Sequence, residues 1–285
     1  MSTFTPQLAD WLTEQMRKGC TPDVLRAEML RVGYEAGFIS TVVGAAFLNP
    51  NTSSSSVAPA SNAQKMNVYR DAAGTQGSTI KVGEHTVEVL FSMMSPRVIL
   101  FGNVLTHAEC DKLRAQATVR MKRAEVVNPE TGAYEVDAAR SSDGAAFERG
   151  ETELVATIEA RIAQLIGWPA THGEGLQVLH YRPGGEYQPH YDYFPPSEPG
   201  SAAQLAHGGQ RIATLVIYLN DCAMGGSTVF PNLGFETMPK KGGAVYFAYA
   251  AQDGALDERS LHAGAPVISG DKWIATKWLR EREYA

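Results

Sequence analysis

The 285-residue sequence has few cysteines, no long apolar run and no excess of positive charge, and each shortage excludes a class of protein. Its three cysteines, Cys20, Cys110 and Cys222, are widely scattered and odd in number, which fits neither a disulfide framework nor a zinc site. No run of about 18 apolar residues is present, and the N-terminal stretch lacks the apolar segment of a signal peptide. The net charge of −6 argues against a general affinity for nucleic acid or anionic lipid. We therefore expect a soluble cytoplasmic protein with neither a nucleic-acid nor a membrane partner.

Residues 1–48 predict a small helical segment. Apolar residues recur at helical spacing from Leu8 onwards, and a second helix begins with Thr21 as its N-cap and Pro22 at its first position. A third helix is predicted within residues 37–47. We interpret the segment as a small helical bundle, and a partner-binding module is the alternative.

Residues 49–65 predict a flexible linker, because the tract NPNTSSSSVAPASNAQ is too polar and too rich in Ser, Asn and Pro to build a core. Residues 66–285 then predict one larger domain. Its first part contains two β-like runs and two helices, one entered through Thr106 and the other spanning residues 151–166.

From Gly175 onwards short strands dominate, separated by Gly, Pro and Asp. The runs are GLQVLHY, QPHYDYF, RIATLVIYLN, STVFP, GAVYFAY, RSLHAG and DKWIATKWL. Seven or eight antiparallel strands that follow supporting helices predict an α+β fold with a jelly-roll core, that is, a double-stranded β-helix, which can hold a small ligand between its sheets.

The stretch PHYDYF places a histidine and a carboxylate two positions apart. Since side chains at i and i+2 of a strand leave the same face, His190 and Asp192 are expected to point together. His262 lies in RSLHAGAPV, where a late strand of a jelly roll returns beside an early one. Two histidines and one carboxylate leave coordination positions open, which suits non-haem Fe(II) rather than zinc or calcium.

A lysine occupies the strand that follows His262. Lys272, Ile274, Thr276 and Trp278 share one face of DKWIATKWL. If that face looks into the barrel, the ammonium group is buried, which is costly unless an anion pairs with it. An incoming dicarboxylate is one such anion. The alternative is a lysine on the solvent face of an edge strand.

Four separated motifs resemble the catalytic domain of prolyl 4-hydroxylases. They are LQVLHYRPGGEYQPHYDYF, HGGQRIATLVIYLN, GGSTVFP and SLHAGAPVISGDKWIATKWL, and the resemblance covers roughly residues 95–280. It implies a dioxygenase that uses Fe(II), 2-oxoglutarate and O₂, with L-ascorbate as a further cofactor. It also implies hydroxylation of C4 of a proline in a peptide or protein, with release of succinate and CO₂.

The resemblance also implies roles for individual residues. No catalytic residue is implied beyond the metal site, whose iron ligands are His190, Asp192 and His262. The distal carboxylate of 2-oxoglutarate is assigned to Lys272 and Tyr181, in a pocket lined by Thr214 and Trp278; a plain core tyrosine is the alternative for Tyr181. The implied substrate-binding residues are Arg140, Ser142, Glu174, Tyr187 and Arg211.

Two features limit how far the resemblance extends. Arg211 and Thr214 are three positions apart in one strand, so their side chains are expected on opposite faces. Both line one cavity only if Arg211 lies at the strand's entry or a bulge intervenes. Ser227 and Ala265 stand where the family often has an acidic residue and a cysteine. Two alternative functions therefore stay open: the same chemistry on a free amino acid or a non-proline side chain, and a 2-oxoglutarate-sensing interaction protein without catalysis.

Overall fold

The computed structural model describes residues 8, 11, 14, 15, 22–35, 39, 78–250 and 255–284. The chain divides into two compact units, Met1–Asn62 and Ala63–Ala285. The linker predicted at residues 49–65 and nearly all of the helix predicted within 37–47 lie outside the described residues.

In the first unit, helix α1 spans Pro22–Arg31, as the Thr21-Pro22 signal predicts. Leu25 and Met29 are buried on one of its faces. Gly33 follows the helix with a φ of 93°, a left-handed conformation that glycine adopts without strain and that suits the end of a helix.

The second unit contains three helices and seventeen strands among its described residues. The helices are α2 His107–Thr118, α3 Glu153–Ile166 and α4 Ser201–Ala206. Three 3₁₀ turns span Ala170–His172, Pro231–Leu233 and Glu258–Ser260. The strands are β1 Thr79–Val82, β2 His85–Met93, β3 Val98–Gly102, β4 Lys122–Arg123, β5 Val126–Val127, β6 Tyr134–Glu135, β7 Asp143–Phe147, β8 Leu176–Tyr181, β9 Tyr187–His190, β10 Arg211–Tyr218, β11 Met224–Gly225, β12 Thr228–Phe230, β13 Phe235–Thr237, β14 Ala244–Ala248, β15 His262–Gly264, β16 Val267–Ser269 and β17 Lys272–Arg280.

Two sheets form the barrel. The larger has nine strands in the order β1-β2-β3-β14-β10-β17-β8-β7-β4, and the smaller has four in the order β13-β12-β15-β9. All their strand pairs are antiparallel. Two further ribbons, β5-β6 and β11-β16, lie outside these sheets.

Helices α2 and α3 cover one face of the large sheet. Thr106 caps α2 in a reciprocal capping box with Glu109, and Thr152 caps α3 by accepting a hydrogen bond from the Val155 amide. Helix α3 ends at Gly167, whose φ of 69° is left-handed. The apolar faces of both helices bury residues such as Leu113 against the sheet. The supporting helices thus hold the sheet that carries part of the site.

Strand alternation divides the interior into two cores. In β10, Leu215 and Ile217 pack towards the helices, whereas Val216 and Tyr218 pack between the two sheets. Strand β17 divides in the same way, with Ala275 on the helix side and Ile274 on the barrel side. The barrel-side face of the large sheet is therefore the wall of the ligand space.

The predicted fold class, an α+β jelly roll with supporting helices, is confirmed. The number of strands differs from the prediction, since the short strands β4 to β7 carry no clear alternating pattern. Helix α3 begins at Glu153 rather than at residue 151 because Thr152 serves as its cap. Among the described residues, no helix is both long and apolar enough to cross a membrane.

Candidate active site

Strands β9 and β15 bring two histidines together in the four-stranded sheet. They are antiparallel neighbours, and His190 at the end of β9 lies opposite His262 at the start of β15. Asp192 completes a cluster in which one candidate ligand atom from each residue lies within 4.8 Å of the others. Asp192 stands two residues beyond β9, so strand periodicity alone does not fix its side chain, in contrast to the expectation from PHYDYF.

Backbone carbonyl groups fix the orientation of the two imidazole rings. The Nδ1 of His190 lies 2.9 Å from the Gln188 carbonyl, and the Nδ1 of His262 lies 3.0 Å from the Ser260 carbonyl. A carbonyl only accepts hydrogen bonds, so Nδ1 carries the proton and the Nε2 lone pair faces Asp192. Burial, together with the neighbouring His262, lowers the pKa of His190 to about 3. His190 is therefore a neutral ring at physiological pH, the form that binds a metal.

Asp192 is held ionised inside the cluster. Burial opposes its charge, but His262, His190, Arg211 and the Thr214 hydroxyl outweigh burial and hold the pKa of Asp192 below its usual range. Its two oxygens lie 3.7 Å from His190 Nε2 and 3.5 Å from His262 Nε2. Two imidazole nitrogens and one carboxylate that line a cavity form the donor set that suits Fe(II).

Lys272 provides a buried cation on the opposite sheet. It begins β17, an interior strand between β10 and β8, and is 2% exposed. This placement rules out the solvent-facing alternative. Its register partner is Tyr181 on β8, whose ring centre lies 5.4 Å from Lys272 Nζ. Within residues 78–250 and 255–284, no carboxylate forms an ion pair with Lys272, and burial lowers the pKa of Lys272 to about 8.

A cavity of about 1110 Å³ is lined by Lys272, by the His/Asp/His cluster and by Arg140. Tyr181, which contacts Lys272, also lines it, as do all three candidate metal ligands. The residues predicted to bind metal, co-substrate and substrate thus share one cavity, with the exceptions of Thr214 and Ser142.

Thr214 is placed differently from its prediction. It is not among the residues that line the cavity, because its hydroxyl is turned behind Asp192 and donates to that carboxylate at 2.6 Å. The same hydroxyl oxygen lies 3.0 Å from the hydroxyl of Tyr249.

Ser142 also lies outside the lining and is fully buried, with no hydrogen-bond partner for its hydroxyl. Trp278 does line the cavity, and its buried indole N–H is without a partner.

The predicted substrate residues Glu174 and Arg211 form a buried ion pair. Arg211 donates from Nε and Nη2 to the two carboxylate oxygens of Glu174, at 2.6 and 2.9 Å. Arg280 adds a third bond, from its Nε to Glu174 at 2.6 Å. Burial opposes ionisation of Glu174, yet the two guanidinium groups hold its pKa below its usual range. Arg211 is the first residue of β10, and a register shift separates it from Ala213. This irregularity places the Arg211 side chain on the barrel side of the sheet, as expected if a bulge intervenes.

Arg140 and Tyr187 lie beside the histidine end of the cluster. The ring of Tyr187 stacks on that of His190 at 3.6 Å, and the Arg140 guanidinium lies 4.9 Å from the Tyr187 ring centre. Arg140 donates to the Glu125 carbonyl and to the Gln177 side chain. These contacts fix an aromatic and a cationic surface next to the candidate metal site.

Sequence reasoning did not find Arg280 and Tyr249. Arg280 has the same strand parity as Lys272, which was an available signal for a second buried cation. Tyr249 directly follows β14 and lies two positions after Phe247, so the two side chains are expected on one face. Nothing in the local pattern indicates that the Tyr249 hydroxyl reaches Thr214.

A double-stranded β-helix with a His/Asp/His cluster and a buried unpaired lysine defines an oxygenase that uses Fe(II) and 2-oxoglutarate. The sequence matches the profile of the 2OG-Fe(II) oxygenase superfamily over residues 176–280. It is 38% identical over 239 residues to "Probable prolyl 4-hydroxylase 3" of Arabidopsis thaliana, covering 77% of this chain and 81% of that protein. It is likewise 38% identical over 237 residues to "Prolyl 4-hydroxylase 5" of the same plant, covering 76% and 79%.

A solved structure gives the same result. The viral collagen prolyl hydroxylase of Paramecium bursaria Chlorella virus 1, in complex with 2-oxoglutarate, is 30% identical and superimposes with a TM-score of 0.51. The match covers 64% of this chain and 95% of the viral one. The chain belongs to the prolyl 4-hydroxylase family.

Proposed function

We propose that the protein hydroxylates C4 of prolyl residues in a peptide or protein, converting 2-oxoglutarate and O₂ to succinate and CO₂. The observation that carries the proposal is Lys272, a buried and unpaired ammonium in the same cavity as the His/Asp/His cluster. When bound, iron supplies the activation of O₂ and the oxidative decarboxylation. The residues His190, Asp192 and His262 would hold it.

The large sheet positions the co-substrate. Lys272 would pair with the distal carboxylate of 2-oxoglutarate, and the adjacent Tyr181 would share that carboxylate through its hydroxyl. Such an ion pair is favourable here because the ammonium is already desolvated and gains a partner on binding. Buried rings, among them Phe230 and Phe247 beside His262, exclude water from the metal side of the cavity.

Two observations favour a peptide over a free amino acid. The cavity of about 1110 Å³ exceeds the range of roughly 300–1,000 Å³ usual for small-molecule sites. Arg140 and Tyr187 add a cationic and an aromatic side chain to its lining beside His190, where the residues that flank the target proline would lie. The relatives named prolyl 4-hydroxylase and collagen prolyl hydroxylase support the same substrate class.

L-ascorbate, which would supply reducing equivalents, completes the proposed set of cofactors, and a cytoplasmic location stays a prediction. Both rest on the family resemblance and on composition rather than on geometry.

The experiment supplies Fe(II), 2-oxoglutarate and ascorbate to the purified protein with proline-containing peptides, and measures peptide mass and succinate. We expect a gain of one oxygen on proline, matched mole for mole by succinate. Oxygen gained only by free proline or by another side chain would support the alternative substrates. Binding of 2-oxoglutarate without any peptide-stimulated succinate would favour the sensing protein and refute the proposal. The His262→Ala variant serves as the matched control for adventitious oxidation.

A further inference from the structure

The three candidate metal ligands are not held by equivalent means. Strand pairing fixes His190 and His262, which face each other across β9 and β15. Asp192 lies beyond the end of β9 and receives its support from the large sheet instead. Arg211 donates to its backbone carbonyl at 3.2 Å, and Thr214 donates to its carboxylate at 2.6 Å.

Tyr249 continues this chain of hydrogen bonds behind Thr214. Its hydroxyl lies 3.0 Å from the Thr214 hydroxyl, and both side chains are buried, at 1% and 0% exposure. A threonine hydroxyl has one hydrogen, and the ionised carboxylate of Asp192 only accepts. The Thr214 hydrogen is therefore committed to Asp192, and Tyr249 must be the donor to Thr214.

The backbone around Tyr249 is itself fixed. Its amide donates to the Ile212 carbonyl at 3.0 Å, and its carbonyl accepts from the Asp257 amide at 2.8 Å. The phenol is thus presented to Thr214 from a rigid position. Donation to Thr214 polarises the Thr214 hydroxyl and strengthens its bond to Asp192, since hydrogen bonds in series reinforce one another in a buried setting.

We propose that Tyr249 is a positioning residue for the metal site: acting through Thr214, it fixes the orientation of the Asp192 carboxylate. The inference rests on the metal site of the proposed function. It gives Thr214 a role in the metal site rather than in the co-substrate pocket. Hydrogen bonds to metal-ligating carboxylates are typically worth about 10- to 100-fold in metal affinity or activity.

The test measures binding of Co(II), a coloured substitute for Fe(II), to the metal-free protein without 2-oxoglutarate, by calorimetry and visible absorption. We expect Tyr249→Phe to weaken Co(II) binding about tenfold and to change the Co(II) spectrum. Thr214→Val should weaken binding at least as much, and Thr214→Ser, which keeps the hydroxyl, should restore it. In the Thr214→Val background, Tyr249→Phe should have no further effect, because its route to Asp192 is already removed.

Tyr218→Phe is the matched control. Tyr218 is another fully buried tyrosine of the large sheet, and its hydroxyl donates to Thr228 rather than to the Asp192 chain. This variant should bind Co(II) as the wild type does. Thermal unfolding of each metal-free variant separates loss of the fold from loss of the site.

Three results would overturn the inference. They are an unchanged Co(II) affinity and spectrum in Tyr249→Phe, additive losses in the double variant, and an equal loss in Tyr218→Phe. If the wild-type protein binds no Co(II), the metal site of the proposed function fails, and the inference fails with it. Normal wild-type binding with an unaffected Tyr249→Phe variant would refute only the role of Tyr249.

Discussion

Replacing Lys272 with alanine is expected to weaken 2-oxoglutarate binding by two to three orders of magnitude while leaving the metal site intact. Lys272 lies on β17 in the large sheet, whereas the candidate metal ligands belong to the β9 and β15 side of the barrel. The substitution therefore removes the anchor for one carboxylate without touching the cluster.

The magnitude follows from the burial of the ammonium group. The pKa of Lys272 falls from 10.5 to about 8 because of burial, so its charged form is about 3 kcal/mol less favourable than that of an exposed lysine. A bound carboxylate offsets that penalty by pairing with the ammonium. Removing one partner of a buried pair typically costs about 3–5 kcal/mol, and each ~1.4 kcal/mol is tenfold in affinity. Both figures indicate a loss of at least roughly 100-fold.

The same pKa predicts how the affinity depends on pH. Below about pH 7 the free protein already carries the proton on Lys272, so binding needs no proton uptake. A bound carboxylate raises the pKa of Lys272, so above about pH 8 binding must take up a proton. Wild-type affinity for 2-oxoglutarate should therefore fall by up to about tenfold for each pH unit above 8. The residual binding of Lys272→Ala should lack this dependence.

Calorimetric titration of 2-oxoglutarate into the Co(II)-loaded protein between pH 6.5 and about 9.5 measures both effects. Arg140→Ala is the control, because Arg140 lines the same cavity but contacts Tyr187 and Gln177 rather than Lys272. We expect it to leave 2-oxoglutarate affinity unchanged and to raise KM for a proline-containing peptide. Equal losses in the two variants, or wild-type affinity that is flat across pH, would refute the assignment of Lys272 as the anchor.

Three further predictions concern the metal site, the domain boundary and the buried charges. His262→Ala should abolish succinate formation and metal binding with little change in thermal unfolding, and full succinate production would contradict the site. Deletion of residues 1–62 should leave 2-oxoglutarate turnover intact, because every cavity-lining residue in the described part of the chain lies in the second unit; a folded but inactive product would contradict this. Glu174→Gln should lower the free energy of unfolding in urea by about 3–5 kcal/mol at pH 7, since it leaves Arg211 and Arg280 buried without their carboxylate. Because the pKa of Glu174 lies below its usual range, the wild type loses this contribution as pH falls through the acidic range, and the variant should lose less.

Strand parity accounts for most of what the sequence predicted. It is a local property with a period of two, so Lys272 and Trp278 could be assigned to one face without knowledge of the partner strands. The structure places both on the cavity wall. The same rule applied two residues further would have included Arg280, which is fully buried.

Interactions between distant strands could not be predicted in this way. The bond between Glu174 and Arg211 depends on a register shift at the start of β10, which no sequence pattern marks. The position of Asp192 depends on Thr214, 22 residues away, rather than on the strand that ends at His190. Parity gives the face of a side chain but not its hydrogen-bond partner, and for this reason the placement of Thr214 differs from its prediction.

The pairing of the buried charges favours Lys272 over Arg211 as the proposed anchor of the dicarboxylate. Arg211 and Lys272 both line the cavity, but every nitrogen of the Arg211 guanidinium already donates to the protein, two to Glu174 and one to the Asp192 carbonyl. The ammonium group of Lys272 has neither a hydrogen bond nor an ion pair with any residue that the structure describes. Glu174 already neutralises the Arg211 guanidinium, so a dicarboxylate gains less there than at Lys272, a desolvated cation without a partner. The ion pair between Glu174 and Arg211 thus supports the proposal that 2-oxoglutarate binds at Lys272.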